Sequence, residues 1–105
     1  MLEQLVQKIY QLKKMNKYLI SYDLGLPETI PDYKRVTDYI KTFSFWAKPL
    51  QSVWFVLSEK SASVIRDELK TRIDQNDKIF VIEVKGHWAT SGINSKVTGW
   101  MQKNI

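Results

Sequence analysis

The order of strand and helix patterns predicts a single α+β domain, and three observations support this class. Runs of β-branched and aromatic residues alternate with segments whose apolar residues recur at helical spacing. The patterns follow one another as β-α-β-β-α-β, with one further helix at each end. The 105 residues are enough for one hydrophobic core, which forms without disulfides since the chain has no cysteine.

The first pattern, at residues 2–14, is that of an amphipathic helix. Its apolar stripe consists of Leu2, Leu5, Val6, Ile9 and Leu12. Such a stripe needs a surface to cover. Translation can also begin at Met15, directly before the first strand, and the helix is then an optional extension. We therefore divide the chain into an N-terminal helix, residues 1–16, and a domain with a C-terminal extension, residues 17–105.

The first strand, residues 17–23, is the stretch around which we interpret the rest of the chain. It ends at Asp23, and a loop that contains Gly25, Pro27 and Pro31 follows. Alternation places Leu19, Ser21 and Asp23 on one face of the strand and Tyr18, Ile20, Tyr22 and Leu24 on the other. Asp23 therefore presents a carboxylate at the carboxyl end of a strand, where mixed α/β folds commonly bind ligands and ions.

The middle of the chain contains a helix and two strands. Pro31 suits the first turn of the helix, which we expect to run to about Phe45. The buried face of this helix is predicted to consist of Tyr33, Val36, Ile40 and Phe43. Residues 47–50 are a short strand that Pro49, which has no amide donor, confines to a sheet edge or a bulge. Residues 52–58 are a strand that is apolar on both faces.

Two helices and a strand complete the pattern. Ser61 is the predicted cap of a helix that runs to about Asp74. Residues 78–84 are the last strand, and Asn94 or Ser95 caps a short final helix. This order of elements is that of a ferredoxin-like βαββαβ sandwich with an extra N-terminal helix and a short C-terminal helix.

A ferredoxin-like sandwich packs both helices on one sheet face, and the other face then needs its own cover. The strands that contain Trp54, Val56, Phe80 and Ile82 are apolar on both faces. Each large apolar side chain that stays in water loses about 1.5–3 kcal/mol of the stabilisation that burial would provide. We therefore expect the second face to be covered by another copy of the chain, by a terminal helix, or by both, and a two-fold homodimer is the simplest cover.

The net charge of +5 is concentrated at the two ends of the chain. Residues 1–22 carry four lysines and one glutamate (+3), and residues 84–105 carry three lysines and no acid (+3). Residues 23–83 carry nine basic and ten acidic residues (−1). Basic ends are compatible with a polyanionic partner such as nucleic acid, and equally with ordinary solubilising lysines.

Few residues are candidates for catalysis. His87 is the single histidine, and we interpret it as a loop or interface residue because no nucleophile-elbow context surrounds it. Asp23 is the candidate catalytic carboxylate and metal ligand. Mg²⁺ or Mn²⁺ would need a second carboxylate, which Asp23 of a second copy could supply at a two-fold axis. The alternative is that Asp23 caps a turn or the following helix.

Basic and aromatic side chains supply the candidate nucleic-acid contacts. Lys34 and Arg35, early in the first helix of the domain, are candidate phosphate contacts, and the alternative is a solvated helix face. Tyr22 and Trp46 can stack on bases, and the alternative is that they pack at the edge of the core or at a dimer interface.

Four stretches within about residues 17–84 resemble the CRISPR-associated protein two family, which is distantly akin to VapD-type ribonuclease toxins. They are Ser21-Tyr22-Asp23, Lys34-Arg35, Gln51-Ser52-Val53-Trp54-Phe55, and the segment from Arg66 to Asp77 that leads into Ile79-Phe80-Val81. The resemblance implies a ferredoxin-like homodimer whose sheets face each other. It implies that Asp23 holds a divalent cation across the dimer axis, and it matches the family's serine to Ser52 and its basic residues to Lys34 and Arg35.

From this resemblance we expect a cytoplasmic, nucleic-acid-binding homodimer that acts as a Mg²⁺- or Mn²⁺-dependent endonuclease on RNA or DNA. The alternatives are a non-catalytic dimeric scaffold for nucleic acid or protein, and a VapD-like ribonuclease toxin. An integrase or an antitoxin is then the expected protein partner. No apolar run approaches the length needed to span a bilayer, so we expect no membrane partner.

Overall fold

The computed structural model describes residues 1–25 and 30–105 of the chain. In these ranges it is an α+β structure with four helices and one four-stranded sheet. The elements are α1 (Leu2–Lys14), β1 (Asn16–Asp23), α2 (Ile30–Ile40), β2 (Phe45–Leu50), β3 (Val53–Ser58), α3 (Ala62–Lys70), β4 (Lys78–Glu83) and α4 (Ser95–Asn104). The predicted α+β class is confirmed, whereas the turn residue Pro27 lies outside the described residues.

The sheet is antiparallel and has the strand order β2-β3-β1-β4. The central strand β1 pairs with β3 on one side and with β4 on the other, so that Leu19 lies opposite both Phe55 and Ile82. β2 is an edge strand, and its register with β3 shifts between Ala47 and Leu50. Both features follow from the proline in β2, which cannot donate to a neighbouring strand. The arrangement is compatible with a ferredoxin-like sandwich.

One face of the sheet carries the hydrophobic core together with α2 and α3. The alternation predicted for β1 is confirmed, since Tyr18, Ile20 and Tyr22 are buried while Asp23 is exposed. The core cluster consists of Tyr18, Ile20, Tyr22, Leu24, Val36, Tyr39, Ile40, Trp54, Val56, Ile65 and Leu69. Because β1 is central and its neighbours are apolar, this face is closed by the chain itself.

The helix α2 is shorter than the sequence predicted. We expected it to continue to about Phe45, but it ends at Ile40. The amides of Thr42 and Phe43 bond to carbonyls three residues back, and this closes a turn instead of a further helical turn. Phe43 then packs edge-on against Tyr39, with ring centroids 5.4 Å apart. α2 therefore ends in a tight turn, from which Phe43 still packs against the core.

The helix α3 begins where the sequence predicted and ends early. The side chain of Ser61 accepts a hydrogen bond from the Val64 amide (3.2 Å), as expected of an N-cap. The predicted end at about Asp74 is wrong, because the helix ends at Lys70. Ile73, which lies beyond this end, still packs against the core from the turn that follows.

The second face of the sheet is covered over half of its width. On the half formed by β2 and β3, the helix α4 packs against β2 and buries Met101. The buried side chains of this covered half are Ala47, Phe55 and Leu57. On the half formed by β1 and β4, Phe80 is 54% exposed and Ile82 is 52% exposed. We call Leu19, Phe80 and Ile82 the open half, and a terminal helix is thus confirmed as cover for the other half only.

The helix α1 has the predicted bounds but does not join the core. Its stripe residues Leu2, Leu5, Val6 and Ile9 are between 47% and 74% exposed. The side chain of Leu12 lies outside the described part of the chain. Within the described ranges, no helix is long and apolar enough to cross a bilayer.

Candidate functional site

The predicted site residues around the end of β1 lie at one edge of the sheet, because β1 ends where β3 and β4 begin. Ser21 lies opposite the first residue of β3, and Asp23 lies opposite Lys78, the first residue of β4. Ser52 directly precedes β3. The antiparallel register therefore brings Tyr22, Asp23 and Ser52 to the same end of the sheet.

A pocket of about 350 Å³ opens at this end of the sheet. Its lining consists of Tyr22, Tyr33, Thr37, Lys48, Gln51 and Ser52. The structure thus brings together Tyr22, a predicted base contact, and Ser52, which the resemblance matches to the family's serine. The remaining lining residues come from α2, from β2 and from the turn after β2, and sequence reasoning identified none of them as site residues. No local pattern marks them, because their meeting depends on how the strands pair.

The pocket combines aromatic walls, neutral hydrogen-bonding groups and one cation. Tyr22 is fixed by the core, since it is buried and its Oη accepts a hydrogen bond from Trp54 Nε1 (3.1 Å). Its ring centroid lies 6.5 Å from that of Tyr33. Lys48 is exposed, and its Nζ lies 5.1 Å from the centroid of the Trp54 ring. The six lining residues include no carboxylate that would repel an anion. The tyrosine rings and the neutral polar groups suit a planar polar ligand, and Lys48 suits a negative charge next to it.

The predicted phosphate contacts Lys34 and Arg35 lie on α2 but do not line this pocket. Lys34 forms an exposed ion pair with Asp38 (2.6 Å). Arg35 pairs with Asp32, and its Nε donates a hydrogen bond to the Arg72 carbonyl (3.4 Å). Exposed ion pairs of this kind contribute only about 0–1 kcal/mol, so a phosphate can replace the acid as the partner of Lys34 at little cost.

Asp23, the predicted metal ligand, is exposed at the end of β1. Within the described residues its carboxylate makes no hydrogen bond or ion pair, and no group of three or more His, Cys, Asp or Glu side chains could hold a metal ion. A divalent cation such as Mg²⁺ takes six oxygen ligands and usually needs one or two carboxylates from the protein. The described part of one chain therefore does not fit a resident metal, and a second copy would have to complete the ligand set.

The carboxylate of Asp77 has a structural role next to Asp23. It accepts hydrogen bonds from the Gly25 amide (2.7 Å) and from the Asp74 amide (2.8 Å). Asp77 therefore closes the turn that begins at Asp74, and in addition it ties this turn before β4 to the segment after β1. Gly25 fits there because it lacks a Cβ, which would lie 2.6 Å from the Asn76 carbonyl oxygen. These contacts hold the chain directly after Asp23 in one place.

A second cavity, of about 410 Å³, lies between α3 and the start of β4. Three cations line it, Arg66, Lys70 and Lys78, together with the acids Asp74 and Asp77. Because the acids partly compensate the cations, the cavity has no strong preference for an anion. It adds positive side chains near the strand end without forming a defined site.

Comparison with known proteins adds no family to this geometry. No protein-family model matches the chain, and no curated protein is significantly similar to it. The functional interpretation therefore depends on the residues of the site and on their arrangement.

Proposed function

We propose that the protein is a ferredoxin-like nucleic-acid-binding protein akin to the CRISPR-associated protein two family, and that it binds a single-stranded segment at the end of the sheet. The pocket beside the end of β1 is the observation that carries the proposal, since it joins Tyr22, a predicted base contact, and Ser52, which the resemblance matches to the family's serine, in one concave site. The strand order supports the ferredoxin-like assignment.

The lining of the pocket matches the groups that an unpaired nucleotide presents. A base in a duplex is stacked and paired, whereas a single-stranded base can leave the stack and enter a pocket. The Gln51 amide and the Ser52 hydroxyl can bond to the polar edge of a base, and the ring of Tyr33 can lie against its face. Lys48 is placed at the rim, where it can bind the neighbouring phosphate.

Basic residues beside the pocket can bind further phosphates of the same strand. Lys34 and Arg35 lie on the same helix as the lining residues Tyr33 and Thr37. The Oγ1 of Thr37 donates a hydrogen bond to the Lys34 carbonyl (3.2 Å). The pocket residue Thr37 and the basic residue Lys34 therefore lie on the same turn of α2. A strand that enters the pocket can therefore continue along the exposed side of this helix.

Removal of the Lys48 charge tests the proposal. In Lys48→Gln we expect the affinity for a fluorescently labelled single-stranded oligonucleotide to fall about three- to tenfold at low salt. The slope of log K against log salt should flatten by about 0.7, as expected for one lost phosphate contact on a single strand. Fluorescence anisotropy over a salt series measures both quantities.

The matched control is Lys103→Gln, which removes one charge from the exposed end of α4. If both variants lose the same affinity, the binding reflects net charge and the pocket proposal is wrong. Gln51→Ala serves as a second variant, because it should reduce discrimination between bases without changing the salt slope.

A metal-dependent endonuclease is the second candidate function, and the exposure of Asp23 favours it. The same oligonucleotides, incubated with Mg²⁺ or Mn²⁺, should be cut by the protein and left intact by Asp23→Asn, which keeps the size of the side chain. Equal cutting by both proteins would point to a contaminating nuclease. Binding without cutting would instead identify a scaffold, for which a protein partner such as an integrase or an antitoxin is then the expected ligand.

A further inference from the structure

Two apolar surfaces of the chain have no cover within the described residues. One is the stripe of α1, formed by Leu2, Leu5, Val6 and Ile9, and we call it the arm stripe. The other is the open half of the sheet. Soluble proteins rarely expose contiguous apolar surfaces without an interaction partner. Neither surface belongs to the pocket at the strand end.

The arm α1 is not supported by the domain to which it is attached. Only Met15 separates it from β1, and its four stripe residues are 47–74% exposed. The molecule measures 51 × 31 × 23 Å, with a radius of gyration of 15.0 Å, against about 13 Å for a compact chain of this size. A lone helix shorter than about 12–15 residues is only marginally stable in water, so α1 needs a surface on which to pack.

The open half of the sheet offers a surface of matching shape. α4 lies on the other half of the same face and shows that this face accepts a helix. The remaining width, over β1 and β4, leaves a second helix position beside α4. The 13 residues of α1 span about 20 Å at 1.5 Å per residue, and the six residues of β4 span about 20 Å at 3.3 Å per residue.

We propose that α1 of one copy packs in the helix position beside α4 on the sheet of a second copy, and that the second copy returns the same contact. Both apolar surfaces are then covered by one two-fold operation, because each chain carries the helix and the position that receives it. A different protein on either surface would leave the other exposed. In this dimer the second face carries two helices, α4 from its own chain and α1 from its partner, instead of a second sheet.

The first test substitutes single residues of α1 whose side chains are exposed. Leu5→Asp should weaken dimerisation at least tenfold, because it places a charge in the arm stripe. Gln4→Asp is the matched control on the opposite side of the same helix, and its dimerisation should be unchanged. Sedimentation equilibrium over a concentration series measures both constants, and circular dichroism shows that both variants are folded.

The second test identifies the contact, and the chain is suited to it because it has no cysteine. Under mild oxidation, a mixture of Val6→Cys and Ile82→Cys proteins should form a mixed disulfide. A mixture of Gln7→Cys and Ile82→Cys should not, since Gln7 lies on the polar side of α1. Neither cysteine variant should cross-link efficiently by itself.

Three outcomes would overturn the proposal. The protein could be a monomer at high micromolar concentration, or Leu5→Asp and Gln4→Asp could dimerise equally. Val6→Cys could also cross-link to itself faster than to Ile82→Cys, which would indicate pairing between two arms. None of these results affects the oligonucleotide titrations, because no residue of the pocket is changed.

Discussion

Phe55 and Ile82 both lie opposite Leu19, in one row on the second face of the sheet, yet they differ in their surroundings. Phe55 is 9% exposed, whereas Ile82 is 52% exposed. The difference follows the position of α4, which packs against the edge strand β2 on the side of the sheet nearer to Phe55. Two apolar residues on the same face of a sheet can thus differ widely in burial. The sequence shows that each is apolar, and the elements packed beside it determine whether it is buried within its own chain.

Truncation of Phe55 and of Ile82 to alanine tests this difference in burial. Phe55→Ala should lower the free energy of unfolding by about 3–5 kcal/mol, because it leaves a cavity under a covered half. Ile82→Ala should cost less than about 1 kcal/mol, because half of its side chain is already in water. Urea unfolding at protein concentrations too low for association measures both values. Equal losses would mean that α4 does not seal its half of the sheet.

A pair of glycine substitutions sharpens the contrast between crowded and open positions. Gly25→Ala should cost about 1–3 kcal/mol, because its Cβ would meet the Asn76 carbonyl and the backbone would have to shift. Gly99→Ala should instead stabilise the protein by about 0.5–1 kcal/mol, because nothing lies within 4 Å of the added methyl group and alanine favours helix α4. Thermal unfolding of both variants gives the signs, and the same sign in both would contradict the packing described at Gly25.

The smallest expected effect on stability concerns the carboxylate of Glu68, which links α3 to Tyr39 of α2. Glu68 accepts hydrogen bonds from Lys60 Nζ (2.7 Å) and Tyr39 Oη (2.7 Å), and these bonds lower its pKa. Burial and the bond to Glu68 raise the pKa of Tyr39. A carboxylate with a lowered pKa stabilises the folded state above its unfolded pKa, and this contribution is lost as the pH falls through the folded value.

We therefore expect Glu68→Gln to destabilise the protein by about 0.5–1 kcal/mol at pH 7, a modest loss because the carboxylate is one-third exposed. The difference between the two proteins should shrink as the pH falls below about 4.3, the ordinary pKa of an unfolded glutamate, and on through the lower pKa of Glu68 in the folded state. Urea unfolding between pH 3 and pH 7 measures it. A difference that does not change with pH would assign the loss to packing.

The sequence by itself determined those features that depend on neighbouring residues. The alternation of β1, the cap at Ser61 and the bounds of α1 are local patterns, and the structure confirms each of them. Pro49 also placed β2 at an edge, because a residue without an amide donor cannot pair on both sides. Asp23 could be expected at the exposed end of a strand for the same local reason.

Tertiary structure alone decided the features that depend on residues distant in the chain. Phe43 lies beyond the end of α2 and yet packs against a core built from β1, β3 and α3. Thr37, Lys48 and Gln51 line one pocket with Tyr22 only because of the strand register and the position of α2. The cover of the second face was open to several solutions, and the position of α4 selected one for the half formed by β2 and β3. The periodicity of the sequence indicates which residues are buried, whereas the packing of whole helices and strands determines which residues they contact.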